Sequence, residues 1–300
     1  MEKRLLGQTG LEVSRVGVGL AQIGQLELDA EIRVKKLLNH AVDLGINFFD
    51  TAAAYGNSEE LIGRAISHRR DEFFLATKCG HWATLWPWTA QTVVENVDQS
   101  LRRLKTDHID ILQIHSAPVD ILERGEVTRA LMDVRNAGKT RFISYSGDNE
   151  AAAWAVVSGQ FATLQTSFNL VDQRARIRLF PAIRDQKMGL IIKRPIANGA
   201  WGGSLDYAGT SVMWRRIYDR AEQVRALGPI PGAPEDRIRL AMGFTFAHPE
   251  VDVAIVGTTN PDHLASNIRL FEEGLSIPDE TVQELYNRFD KLGTDWEQLT

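Results

Sequence analysis

Four side chains able to hold or move a proton stand at or just beyond the ends of short apolar runs. They are Asp50 after Ile46-Asn47-Phe48-Phe49, Tyr55 five residues later, Lys78 after Phe73-Phe74-Leu75-Ala76-Thr77, and His115 after Ile111-Leu112-Gln113-Ile114. Singly, most have a plain structural reading. Asp50 would cap the following helix, Tyr55 would anchor a loop, and His115 would be a hydrogen-bonded core histidine. Lys78 resists such a reading, because an ammonium closing a buried strand is costly unless paired. Together they make one chemical device. Asp50 and Lys78 would form an ion pair. An ammonium beside a phenol, whose ordinary pKa is about 10, stabilises the phenolate. A tyrosine so placed can give a proton to a developing alkoxide near neutral pH, with His115 orienting the substrate oxygen. A Schiff-base role for Lys78, as in a barrel lyase, would need a desolvated amine of depressed pKa, and an adjacent Asp50 opposes that. The histidines show no H-E-x-x-H spacing and Cys79 is the single cysteine, so no metal is expected.

What must position these residues is an alternation of strands and helices. Eight apolar runs, at 16–19, 46–50, 73–78, 109–115, 141–146, 163–168, 189–194 and 253–258, read as parallel strands buried on both faces. Between them apolar residues recur at helical spacing: Val34, Leu37, Leu38 and Ala41 before Gly45; Val93, Val97, Leu101 and Leu104 after a Thr89 cap; Val127, Ala130, Leu131 and Val134 before Gly138. Asn260-Pro261 opens a helix over 263–270, and Val282, Leu285, Tyr286 and Phe289 mark a last one. Arg4 to Val13 reads as a hairpin around a Gly/Thr turn.

Eight is the number that closes a barrel, and barrel active sites lie at the C-terminal strand ends. The expected fold is α/β: a (β/α)8 TIM barrel with an N-terminal β-hairpin and a long loop after strand 7, one domain over residues 1–300. An open doubly wound sheet would want G-x-G-x-x-G, and Gly17-Val18-Gly19 lacks the third glycine. The interval 195–252 is long and holds Asn198-Gly199-Ala200-Trp201-Gly202-Gly203, a helical stretch at 212–227 and Gly228-Pro229-Ile230-Pro231-Gly232. It reads as a lid or substrate wall. Trp82, Trp86, Trp88 and Trp201 are either pocket lining or packing.

A net charge of −5 argues against a nucleic-acid partner. One cysteine permits no internal disulfide, the first ten residues carry no apolar core of a signal peptide, and no run reaches the roughly 20 apolar residues of a membrane span. A cytoplasmic location is expected, with no membrane partner. Composition leaves the oligomeric state open.

Over nearly its whole length the sequence resembles the aldo-keto reductase family. Asn47-Phe48-Phe49-Asp50-Thr51-Ala52-Ala53-Ala54-Tyr55-Gly56 is similar to the family's Asp/Tyr signature, Leu75-Ala76-Thr77-Lys78 to its Lys strand, and Asp110-Ile111-Leu112-Gln113-Ile114-His115 to its His strand. The resemblance implies an oxidoreductase moving hydride between NADP(H) and a small carbonyl or alcohol substrate (aldehyde, ketone or sugar), with Asp50, Tyr55, Lys78 and His115 catalytic. It implies cofactor contacts from Gly19, Asp50, Ser146, Gln165, Lys193, Arg194, Pro195, Gly257, Thr258, Thr259, His263 and Asn267. The family's Ser-Asn pair is Ser146-Gly147 here, leaving Asp148 or Asn149 to stand in, and its stacking aromatic is replaced by Lys193. Its usual Lys and Arg at the phosphate segment are Gly257 and His263, which keeps NAD open beside NADP. The other readings are an NAD-preferring sugar dehydrogenase and a cofactor-sensing binding module, as in potassium-channel β subunits.

Overall fold

The computed structural model describes residues 1–80, 87–203 and 211–299. Strands β1 (Lys3–Leu5) and β2 (Glu12–Ser14) pair antiparallel as the expected hairpin, with Lys3 opposite Ser14. Eight parallel strands then close a barrel: β3 (Val16–Gly19), β4 (Phe48–Asp50), β5 (Phe74–Cys79), β6 (Ile109–His115), β7 (Thr140–Ser146), β8 (Thr163–Ser167), β9 (Gly189–Lys193) and β10 (Val253–Gly257). Each lies beside its neighbour in sequence, and β10 closes on β3 through Gly257 opposite Gly19.

The strands read as unbroken apolar runs because both faces are covered. Within β6, Ile111 points inward to Phe48, Ala76, Ile191 and Val253, where Leu6, Leu11 and Val13 of the hairpin segment floor the barrel. Leu112 and Ile114 point outward against Val93, Val97, Val127 and Leu131 of the surrounding helices. Alternation therefore returns Gln113 and His115 to the interior, above the apolar floor. Each fully buried Leu or Ile stabilises this arrangement by about 1.5–3 kcal/mol.

The helices begin and end where local chemistry dictates. Helix Glu31–Asp43 buries Val34, Leu37, Leu38 and Ala41 and stops before Gly45. The Thr89 hydroxyl accepts from the Thr92 amide to cap Ala90–Leu104. The Asn260 side chain accepts from the Asp262 amide, with Pro261 opening helix Pro261–Glu272.

The interval after β9 is less of a loop than expected. It carries helix Val212–Arg225 and a second, unanticipated helix, Arg237–Phe246. The second is apolar nearly all round from Leu240 to Phe244, with Leu240, Ala241, Met242 and Phe244 buried. A helix covered on most sides shows no one-faced period. Among the described residues, no helix is long and apolar enough to cross a membrane.

Candidate active site

Asp50 is the last residue of β4, Lys78 the penultimate residue of β5 and His115 the last of β6, so three adjacent strands deliver them to one end of the barrel. The Lys78 ammonium donates to Asp50 Oδ2 at 2.6 Å and to the Thr51 carbonyl at 2.8 Å. Both side chains of the ion pair are buried. Burial alone would lower the Lys78 pKa, but Asp50 and Tyr55 outweigh it and hold the amine above its ordinary value. Asp50 is thus a counter-ion, not a helix cap; the residue before helix Ser58–Ile66 is Asn57.

Tyr55 arrives from the turn after β4. The Lys78 ammonium lies 5.0 Å from its ring centre. The His115 ring meets the Tyr55 ring edge-on, with centroids 5.5 Å apart. The turn is clamped from three sides. Ala53 N donates to Lys78 O, and Asn57 N donates to Gly24 O. Ser58 Oγ hydrogen-bonds Thr51 Oγ1 and donates to Leu20 O. Gly24 is required, since a Cβ there would stand 1.9 Å from the Tyr55 carbonyl oxygen. Buried Glu59 accepts from Thr77 Oγ1 at 2.7 Å, tying the helix after Tyr55 to the strand of Lys78.

The residues expected at the nicotinamide end lie beside this group. Ser146 Oγ donates to Gln165 Oε1 at 2.9 Å, the two facing each other in register on β7 and β8. Gln165 Nε2 donates to Asp50 Oδ1 at 2.7 Å. Gly147 is dictated by its neighbour: a Cβ there would lie 2.5 Å from the Tyr145 hydroxyl, which donates to Ala117 O. Asp148 and Asn149, the expected stand-ins for the missing amide, are engaged with protein partners. Asp148 Oδ1 accepts from Thr166 Oγ1, Ser167 N and Gln298 Nε2, and its Oδ2 lies 2.8 Å from Lys193 Nζ. Burial would raise the Asp148 pKa, but Lys193 and Arg194 more than offset that and hold the carboxyl below its ordinary range. Asn149 exchanges hydrogen bonds with Gln298 through both side-chain ends. Arg194 Nη1 donates to Ser167 Oγ and to the Leu299 carbonyl. Pro195 follows it, its carbonyl accepting from Thr245 Oγ1.

The expected phosphate segment runs from the end of β10 into helix Pro261–Glu272. Thr258 Oγ1 accepts from Asn260 N at 3.0 Å, His263 is exposed in the first turn and Asn267 is half-buried a turn later. Gly257 faces the Gln22 amide, which a Cβ would meet at 2.3 Å. A cation that the sequence reading missed approaches this segment from another helix: Arg33 donates to the Thr259 carbonyl at 3.1 and 3.3 Å and to its hydroxyl at 3.3 Å. Its sequence position, among Lys35 and Lys36 on a solvated face, carries no signal of this contact.

Gln113, Gln298 and Glu59 were also missed. Gln113 had one legible sign, a polar residue two places before His115 on the same face of its strand. Trp88 lays its indole against Gly80, and Trp88 and Trp201 both pack on the core, which favours packing for these two. Trp82 and Trp86 lie outside the described residues.

The Aldo/keto reductase family model matches residues 15–287. L-galactose dehydrogenase of Arabidopsis thaliana is 28% identical over 95% of this chain and 93% of its own length. NADH-specific methylglyoxal reductase of Escherichia coli is 26% identical, covering 94% of this chain and 97% of its own. The aldo-keto reductase AKR11C1 of Bacillus halodurans in its holo form shares the fold, with a TM-score of 0.80 at 24% identity and 96% of each chain covered. A closed barrel with an ion pair, a tyrosine and a histidine gathered at one mouth, under a family model that spans nearly the whole sequence, leads to one conclusion: the chain belongs to the aldo/keto reductase family and is an NAD(P)-dependent oxidoreductase.

Proposed function

We propose that the protein reduces the carbonyl of a small aldehyde, ketone or sugar, with Tyr55 as the proton donor. The observation that carries this reading is the buried Lys78–Asp50 pair at 2.6 Å with Tyr55 over the ammonium and His115 edge-on to Tyr55. Tyr55 gives its phenolic proton to the substrate oxygen as that oxygen gains negative charge. Lys78 stabilises the phenolate left behind, and Asp50 keeps Lys78 charged and in place. His115 hydrogen-bonds the same oxygen and fixes its approach. In alcohol oxidation Tyr55 takes the proton back.

The residues at the mouth fit a nicotinamide. Ser146 and Gln165 offer a buried hydroxyl and a buried primary amide side by side, the donor and acceptor set that a carboxamide requires. When bound, the nicotinamide supplies the hydride. Lys193, Arg194 and Pro195 would wall the cofactor on one side and Gly19 and Gly257 on the other, and Thr258, Thr259, His263 and Asn267 would receive its adenosine end. We assign NADP(H) in preference to NAD(H), since Arg33 at Thr259 supplies the positive charge that a 2′-phosphate needs.

Tyr55→Phe tests the reading. Turnover is expected to fall by at least about 10²-fold, the scale of a lost general acid, while cofactor binding by fluorescence titration is unchanged. Near-normal turnover would sink the assignment. For the cofactor, kcat/KM is measured with NADPH and NADH in parallel. Arg33→Ala is expected to raise KM for NADPH alone; a native preference for NADH overturns the choice.

A further inference from the structure

The proposed mechanism leaves the fully buried Gln113 amide inside the barrel unused. Gln113 is 0% exposed and lies on β6, in register with Lys78 on β5 and Ser144 on β7. Its Nε2 donates to Asp50 Oδ1 at 3.0 Å, the oxygen that Gln165 Nε2 meets at 2.7 Å. The other oxygen, Oδ2, belongs to Lys78. Among the described residues, Gln113 Oε1 has no hydrogen-bond partner. A buried amide with an unmet oxygen works against folding. An apolar side chain would fill the position, as Ile111 does two residues earlier on the same face.

We propose that Gln113 is a positioning residue for the proton donor: it fixes the Asp50 carboxylate in the orientation that pairs with Lys78. This rests on the reading of Asp50, Tyr55, Lys78 and His115 given above. A primary amide does not titrate in this range, so its N–H donates to the Asp50 carboxylate whatever the pH. Two donors share Asp50 Oδ1, but they are not equivalent. Gln165 also holds Ser146 and, on the proposed reading, turns to the nicotinamide carboxamide. Gln113 stays on Asp50 throughout. The titratable groups around this layer are Asp50 on β4, Tyr55 on the following turn, Lys78 on β5 and His115 on β6. Lys193 of β9 stands close enough to feel the Lys78 charge.

Two variants of the full chain test it, with Tyr55→Phe alongside. Gln113→Met fills the space without a donor. Its kcat is expected to fall about tenfold, the scale of one hydrogen bond to a charged group, with KM and Kd for NADPH within about twofold of native. Gln113→Glu places a second carboxyl against Asp50, and two carboxyls so close share a proton. Its activity is expected to be suppressed at neutral pH and to recover toward acid, moving the alkaline limb of the kcat profile down by at least about one pH unit. Gln113→Met should keep the native profile shape; a purely structural role would lower both variants evenly across pH. Native kcat in Gln113→Met, or a pH-independent deficit in Gln113→Glu, overturns the proposal, provided Tyr55→Phe is inactive. If Tyr55→Phe turns over normally, it is the reading of the four residues that fails. Gln113→Glu is nearly isosteric, so the pH profile remains readable should Gln113→Met fail to fold.

Discussion

Asp50→Asn keeps the shape of the side chain and removes its charge. In the native protein the Lys78 ammonium and the Asp50 carboxylate are 2.6 Å apart, with side chains 1% and 3% exposed. At an effective dielectric of about 20, unit charges this close attract by about 6 kcal/mol. The asparagine oxygen still accepts from Lys78 and recovers part of this. Breaking a buried pair and leaving one charge unanswered costs about 3–5 kcal/mol, so a loss of about 3 kcal/mol is expected near neutral pH. The dependence on pH has a definite sign. In the native protein Lys78 is held above its ordinary value, because Asp50 and Tyr55 outweigh burial. Its contribution to stability is complete below the unfolded pKa of about 10.4 and is lost only as pH rises through the higher folded value. In the variant, burial is no longer answered by Asp50, and the folded pKa drops below about 10.4. The folded chain then binds fewer protons than the unfolded one, and stability rises with pH toward that value. Urea denaturation of both proteins near pH 7 and near pH 9.5 reads the effect. The gap between midpoints should be wide at the lower pH and narrower at the higher. A variant that unfolds at the native urea concentration near pH 7, or whose deficit is equal at both values, refutes the ion-pair account.

Two further outcomes are expected. Burial pushes the Asp172 carboxyl up to about 7, with Arg220 only partly offsetting it. Its contribution to stability is therefore full below about pH 4 and fades as pH rises to about 7, a total of about 4 kcal/mol. In Asp172→Asn that slope should vanish from denaturation curves taken across the window, and parallel curves for the two proteins would count against it. Gly147→Ala should lower thermal stability by about 1–3 kcal/mol, because its Cβ would meet the Tyr145 hydroxyl at 2.5 Å. Calorimetry of Gly147→Ala with and without Tyr145→Ala checks the cause, since the cavity in the double variant should absorb the clash. Unchanged melting of the single variant contradicts the packing described.

The barrel was legible because a strand covered on both faces leaves an apolar run that no exposed segment imitates. All eight runs became strands within two residues of their expected ends, and the Thr89 and Asn260 caps fell where hydroxyl and amide side chains could meet helix amides. Helix Arg237–Phe246 was illegible for the complementary reason, since packing on most sides erases the period that distinguishes a helix. At the site, Asp50, Lys78 and His115 announced themselves as polar endings of apolar strands. Gln165, inside its run, was reached through the family resemblance, whereas Gln113 offered only its place two residues before His115 on the same strand face.

The sequence by itself determined the number and order of strands, the class of chemistry and the candidate residues for it, because these follow from periodicity along the chain and from side-chain type. Tertiary structure alone decided who meets whom. Closing the barrel aligned Gln113 of β6 and Gln165 of β8 on one oxygen of Asp50. It brought Arg33 of an early helix to Thr259, and Gln298 to Asp148 and Asn149. These partners are separated by as much as 226 residues. Only the geometry of the closed barrel fixes such contacts, because the hydrogen bonds that hold them are short, directional and indifferent to distance along the chain.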